Sequence, residues 1–182
     1  MMRKLAVLGT LGLVLAVIMP VGSALGAQFD YYRNGSLING QIRGNCGYQC
    51  VTSWYRAGSG SGTDACAHNN WIPTGGFNVV AHYDNYTGSD IQGRVWYLNN
   101  YNCSNGVIRS ELFVHSQETS SQGQACPSGT PDFCWDTDND YYSYGCIKVA
   151  RMPVTNGYSD LGRIDAFHHS ANGPVTQVWV SA

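Results

Sequence analysis

Seven cysteines behind an export-type leader constrain this 182-residue chain more than any other feature of its sequence. Exported chains oxidise their thiols in pairs, and an odd count leaves either an intermolecular bridge or one free thiol. We read three bridges and a free thiol at Cys146. Six cysteines allow many connectivities, and sequence alone does not choose among them. Local closure favours Cys46–Cys50 and Cys126–Cys134, leaving Cys66–Cys103 to bracket two expected strands. Each bridge contributes about 2–4 kcal/mol.

The leader reads as a signal peptide. Arg3 and Lys4 precede an apolar stretch from Leu5 to Met19, and Gly22-Ser23-Ala24-Leu25-Gly26-Ala27 supplies small residues for cleavage near Ala24 or Ala27. The apolar stretch falls short of the roughly 20 residues a spanning helix needs. The expected organisation is therefore a signal peptide over 1–27 and one secreted domain over 28–182, with no stable membrane insertion after cleavage. The leader takes two of the ten basic side chains, leaving eight against twelve acidic ones. That balance argues against nucleic acid as a partner. A monomer is expected.

Short strand-like runs recur between turn residues. They cover Gly76 to Tyr83, with Phe77, Val79 and Ala81 on one side, then Gly93 to Leu98, Ile108 to Ser116 and Pro174 to Val180. In the third run Leu112 and Val114 face one way, Phe113 and His115 the other. Leu161, Ile164 and Phe167 recur at spacing three and predict a short helix within Ser159 to His169. Together these patterns predict a mostly β, disulfide-stabilised domain with one or two short helices.

Cys146 stands in Ser143-Tyr144-Gly145-Cys146-Ile147-Lys148, and His115 ends a strand beside Ser116. A thiol attacks carbonyl carbon as thiolate, and an imidazole supplies it by taking the proton. That imidazole needs a third group to fix its tautomer, and the developing oxyanion needs backbone N–H donors. Gly145 permits the tight backbone approach such donors require. The plainer readings are a structural histidine and a bridged Cys146.

These segments resemble the L,D-transpeptidase catalytic-domain (YkuD-like) family. The resemblance is carried by Phe113-Val114-His115-Ser116 and by Ser143-Tyr144-Gly145-Cys146-Ile147-Lys148-Val149. It extends to Trp71-Ile72-Pro73-Thr74-Gly75-Gly76-Phe77-Asn78-Val79 and Gly93-Arg94-Val95-Trp96-Tyr97-Leu98. Two departures stand out: Tyr144 replaces a frequent second histidine, and 30 residues separate His115 from Cys146, more than is usual.

The resemblance implies a β-sandwich with Cys146 as nucleophile, His115 as base and Ser116 orienting it through its carbonyl. Gly145 and Cys146 would offer oxyanion-hole N–H groups, with Ser143, Tyr144 and Lys148 lining the substrate pocket. It implies acyl transfer between peptidoglycan stem peptides through a Cys thioester, giving 3→3 cross-links, at an extracytoplasmic cell wall. No metal or cofactor is required. An L,D-carboxypeptidase or wall hydrolase on the same scaffold, or a non-catalytic disulfide-rich binding or inhibitor module, are the other readings.

Weaker signals point elsewhere. Asp136-Thr137-Asp138-Asn139-Asp140 starts like a calcium loop but lacks its glycine and closing glutamate. His168-His169 has no supporting ligand spacing, His82 is a rival base, and His68 reads as surface. Trp135, Tyr141, Tyr142 and Tyr144 are candidates for a glycan groove.

Overall fold

The computed structural model describes residues 26–47, 50–123, 138–150 and 159–182. Ten strands are present: β1 Ala27–Tyr32, β2 Gly40–Asn45, β3 Tyr55–Ser59, β4 Gly75–Thr87, β5 Gln92–Leu98, β6 Tyr101–Asn102, β7 Ile108–Arg109, β8 Phe113–His115, β9 Ile147–Val149 and β10 Val175–Ser181. One α-helix, α1, spans Asp160–His168, and Asp138–Tyr141 forms a single 3₁₀ turn. Among the described residues the domain is thus mostly β with one short helix, as its turn-punctuated pattern predicts.

The expected two-sheet sandwich is not what forms. Eight strands close into a barrel in the order β1-β10-β4-β5-β8-β9-β3-β2, and β6 and β7 make a separate ribbon. Two parallel pairings account for the closure. β1 runs parallel to β10, and β8 runs parallel to β9, while the other neighbours are antiparallel. Without either pairing the sheet would have free edges, which closure removes.

The interior of an eight-stranded barrel is just wide enough for side chains to fill. Here Phe29, Tyr31, Ile42, Phe77, Trp96, Leu98, Val114, Ile147, Val149, Val178 and Val180 fill it. Helix α1 adds Leu161, Ile164 and Phe167 to the same core. Its N-cap is Ser159, whose hydroxyl accepts from the Gly162 N–H at 2.9 Å. Each large apolar side chain buried in this way contributes about 1.5–3 kcal/mol.

One irregularity redirects a strand. The register of β4 on β5 slips between Val79 and Ala81, a β-bulge. Val79 packs on the interior, Val80 is exposed, and His82 rather than Ala81 shares the face of its partner Trp96. The expected inward Ala81 is displaced by this extra residue.

Cys46–Cys50 and Cys66–Cys103 lie at disulfide distance, with Cα separations of 5.5 and 5.8 Å. The expected Cys126–Cys134 bridge falls outside the described residues. Cys146 is free and buried. Among the described residues no helix is long and apolar enough to cross a membrane. Ala27, assigned from sequence to the leader, is the buried first residue of β1 and pairs with Val175.

Glycine in β2 marks where the helix presses on the barrel. A Cβ on Gly44 would collide with the Phe167 ring. Gly44→Ala is therefore expected to destabilise the fold by about 1–3 kcal/mol through overpacking. The measurement is the urea midpoint at unchanged slope. In a Phe167→Leu background, which relieves the clash, the same substitution should cost less; equal costs in both backgrounds would refute the contact.

Candidate functional site

The register of β8 on β9 sets the geometry. Val114 pairs with Ile147 and His115 with Lys148, in parallel. Val114 and Ile147 both face the interior. Side chains alternate along a strand, so Phe113, His115, Cys146 and Lys148 share the outer face. Cys146 packs there with Val95 and Phe113, flanked by Tyr86, Ile91 and Tyr97. The sequence-predicted thiol and imidazole thus stand one diagonal step apart on neighbouring strands. Such diagonals separate positions by about 7–8 Å in a sheet, and the thiol's own hydrogen bond goes to the Glu111 carbonyl rather than to the imidazole.

His115 Nδ1 lies 2.9 Å from the Ser116 carbonyl oxygen. A carbonyl only accepts, so Nδ1 carries the proton and Nε2 keeps the lone pair. The Ser116 hydroxyl is buried and finds no partner among the described residues. Burial, reinforced by the nearby Lys148 charge, lowers the His115 pKa to about 4.

The Cys146 thiol donates to the Glu111 carbonyl at 3.6 Å, and Glu111 holds a left-handed backbone (φ 55°). Burial pushes the thiol up to about 11, against opposing effects that include a backbone hydrogen bond at Phe113 and the Arg109 charge. In the resting molecule both groups are therefore neutral. Only 4% of Cys146 and 7% of His115 are exposed.

Arg109 is a site residue that sequence reasoning missed. It is 1% exposed, and its guanidinium donates to the carbonyls of Ala65, Asn70 and Trp71. Burial lowers its pKa, while Cys146 and Asp64 raise it. Gly145 is what lets it approach: at φ 105°, a Cβ there would collide with the guanidinium. The available signal was a lone arginine, in Ile108-Arg109-Ser110, in a chain poor in basic residues.

The remaining predicted pocket residues divide. Ser143 braces the turn, its hydroxyl donating to the Cys146 carbonyl at 2.7 Å and accepting from the Gly60 and Gly145 N–H groups at 2.9 and 3.3 Å. The Gly145 N–H is thus directed at a hydroxyl. Tyr144 is 77% exposed beside the thiol turn. Lys148 is buried, donates to the Tyr142 carbonyl, and is lowered to about 8 by burial.

The aromatic groove is not assembled as expected. Tyr141 is buried under Arg56, Tyr142 and Tyr144 are exposed, and Trp135 lies outside the described residues. Of the calcium-loop acids, Asp138 pairs with Arg56 at 2.6 Å, Asp140 is buried near Lys148, and Asp136 is not described. His68 is exposed. Donors able to hold a metal converge elsewhere, where β4 meets α1: His82, Asp84, Asp165 and His169.

The depressed His115 has a testable sign. Its neutral form is the one the fold accommodates, so its contribution is whole above pH 6.5 and is lost as pH falls towards 4. His168, also near 4, shares that window. Urea stability should fall between pH 6.5 and 4, and His115→Gln should remove up to about 3 kcal/mol of that dependence. The Cys146 thiol should alkylate slowly at neutral pH, its rate climbing towards pH 11; a plateau near pH 7 would reveal a resting ion pair instead.

No family model and no curated protein matches this chain.

Proposed function

We propose that this chain is an exported cysteine acyltransferase of the L,D-transpeptidase type, acting on peptidoglycan stem peptides. One observation carries the reading. A free thiol and an imidazole whose tautomer is fixed by a main-chain carbonyl face the same side of two adjacent parallel strands. The segments that carry the family resemblance also lie on β4, β5, β8 and β9, four consecutive strands of the barrel. Export belongs to the same proposal, and the two disulfide-distance pairs agree with it.

The chemistry follows from the resting state. Burial keeps both groups neutral, so proton transfer accompanies attack. Cys146 Sγ bonds to the carbonyl carbon of the residue preceding the terminal D-alanine, and its proton passes to His115 Nε2. The C–N bond breaks and the proton leaves with the D-alanine amine. An amine of a second stem then attacks the thioester, forming a 3→3 amide and restoring the thiol. Arg109, near the sulfur, favours negative charge there as it develops. Water in place of the amine gives an L,D-carboxypeptidase through the same thioester.

The test is incubation of the mature protein with purified tetrapeptide muropeptides and mass spectrometry of products. Cross-linked dimers or free D-alanine are expected, with a thioester adduct on Cys146. Cys146→Ala should abolish turnover, and His115→Gln should cost about 10²–10⁴-fold with the fold intact. Turnover unaffected by Cys146→Ala, or no adduct on a folded wild-type protein, would leave the binding-module reading in its place.

A further inference from the structure

We propose a second site, a four-coordinate divalent transition-metal site built by His82 Nε2, Asp84 Oδ1, Asp165 Oδ1 and His169 Nε2, with Zn²⁺ the best match. The four donor atoms lie within 4.8 Å of one another. His169 Nε2 is 3.3 Å from Asp84 Oδ1 and 3.5 Å from Asp165 Oδ1. His82 Nε2 is 3.8 and 3.9 Å from the same two oxygens. A tetrahedral zinc with bonds of about 2.0–2.1 Å separates its ligand atoms by about 3.3–3.4 Å. The four His–Asp edges lie close to that spacing, and the whole set, within 4.8 Å, draws in when an ion is bound.

Hydrogen bonding accounts for one edge of the cluster only, His169 Nε2 with Asp84 Oδ1. His82 Nε2 and Asp165 Oδ1 are buried with no hydrogen-bond partner among the described residues. Such atoms are costly unless something satisfies them. The backbone supplies two chelating pairs. His82 and Asp84 sit two residues apart on a strand, and Asp165 and His169 sit four apart at the end of α1. The bulge at Val80 aims His82 towards the helix.

Outer contacts hold these ligands as metal sites require. Arg94 Nη1 donates to Asp165 Oδ2 at 3.1 Å, which leaves Oδ1 for the cluster. The His82 ring lies 4.8 Å from Trp96 and 4.0 Å from His168. His168 itself is not a ligand. Its Nδ1 accepts from Trp96 Nε1 at 2.9 Å and from the Val175 N–H at 3.1 Å. Its proton therefore sits on Nε2, which has no lone pair to give. Four protein ligands leave no open position, so the ion is a staple between β4 and α1 rather than a reaction centre.

The experiment uses untagged mature protein, stripped with chelator and titrated with Zn²⁺ or Co²⁺. One equivalent of Zn²⁺ should bind and raise the melting temperature. Co²⁺ should give the intense visible bands of a tetrahedral ion without a thiolate charge-transfer band. His169→Ala and Asp84→Asn alter half-exposed side chains. Each should keep the metal-free melting temperature and weaken Zn²⁺ binding at least tenfold. A folded protein that binds no Zn²⁺, affinity unchanged in both variants, or a Co²⁺–thiolate band would overturn the site.

Discussion

The parallel pairing of β8 with β9 is the constraint on which the candidate site depends. It comprises only two residue pairs between strands of three residues each, yet it helps close the barrel and sets the thiol turn beside the strand that carries the imidazole. Parallel neighbours cannot be joined by a tight hairpin and need a crossover of a dozen or more residues. This topology requires a long separation of His115 from Cys146, and about a dozen of the 30 intervening residues would meet that need.

A buried ionic chain fastens the loop after β8 to the rest of the molecule. Arg94 gives its backbone N–H and Nε to Glu118 Oε2, and Nη2 to Oε1 at 2.5 Å. Its remaining arm reaches Asp165 on α1. Taking such charges out of water is costly, and the energy is recovered only when every arm is matched, as the planar guanidinium allows. The gain is positional. Glu118 follows two residues after Ser116, so the carbonyl that orients His115 is tied through one cation to the helix.

Much of this was legible in the sequence, and the gaps have physical causes. β4, β5 and β10 declare themselves by alternation, and α1 by its apolar spacing. β2 and β3 do not. Gly40, Gly44 and Gly58 stand where Tyr31, Phe167 and Tyr141 press close, so the close packing that these strands permit removes the apolar pattern that would reveal them. β1 was obscured because its first residue was assigned to the leader. Cys146 and His115 were visible as residue types in suggestive settings. Arg109 was not, because its partners are main-chain carbonyls, which leave no complementary charge in the sequence. The two chelating pairs on β4 and α1 lie about eighty residues apart, and only the bulge and the helix placement bring them together.

The cage around Arg109 ties the surroundings of Cys146 to one cysteine pair. Ala65, which accepts from the guanidinium, adjoins Cys66, and β7, which carries Arg109, pairs with β6 next to Cys103. Both walls of the cage are therefore fastened by one sulfur–sulfur link. In a reducing cytosol that fastening is missing, and the cation beside Cys146 rests on weaker scaffolding. The electrostatic setting of the Cys146 sulfur is thus coupled to the redox state of a cysteine pair that never touches it.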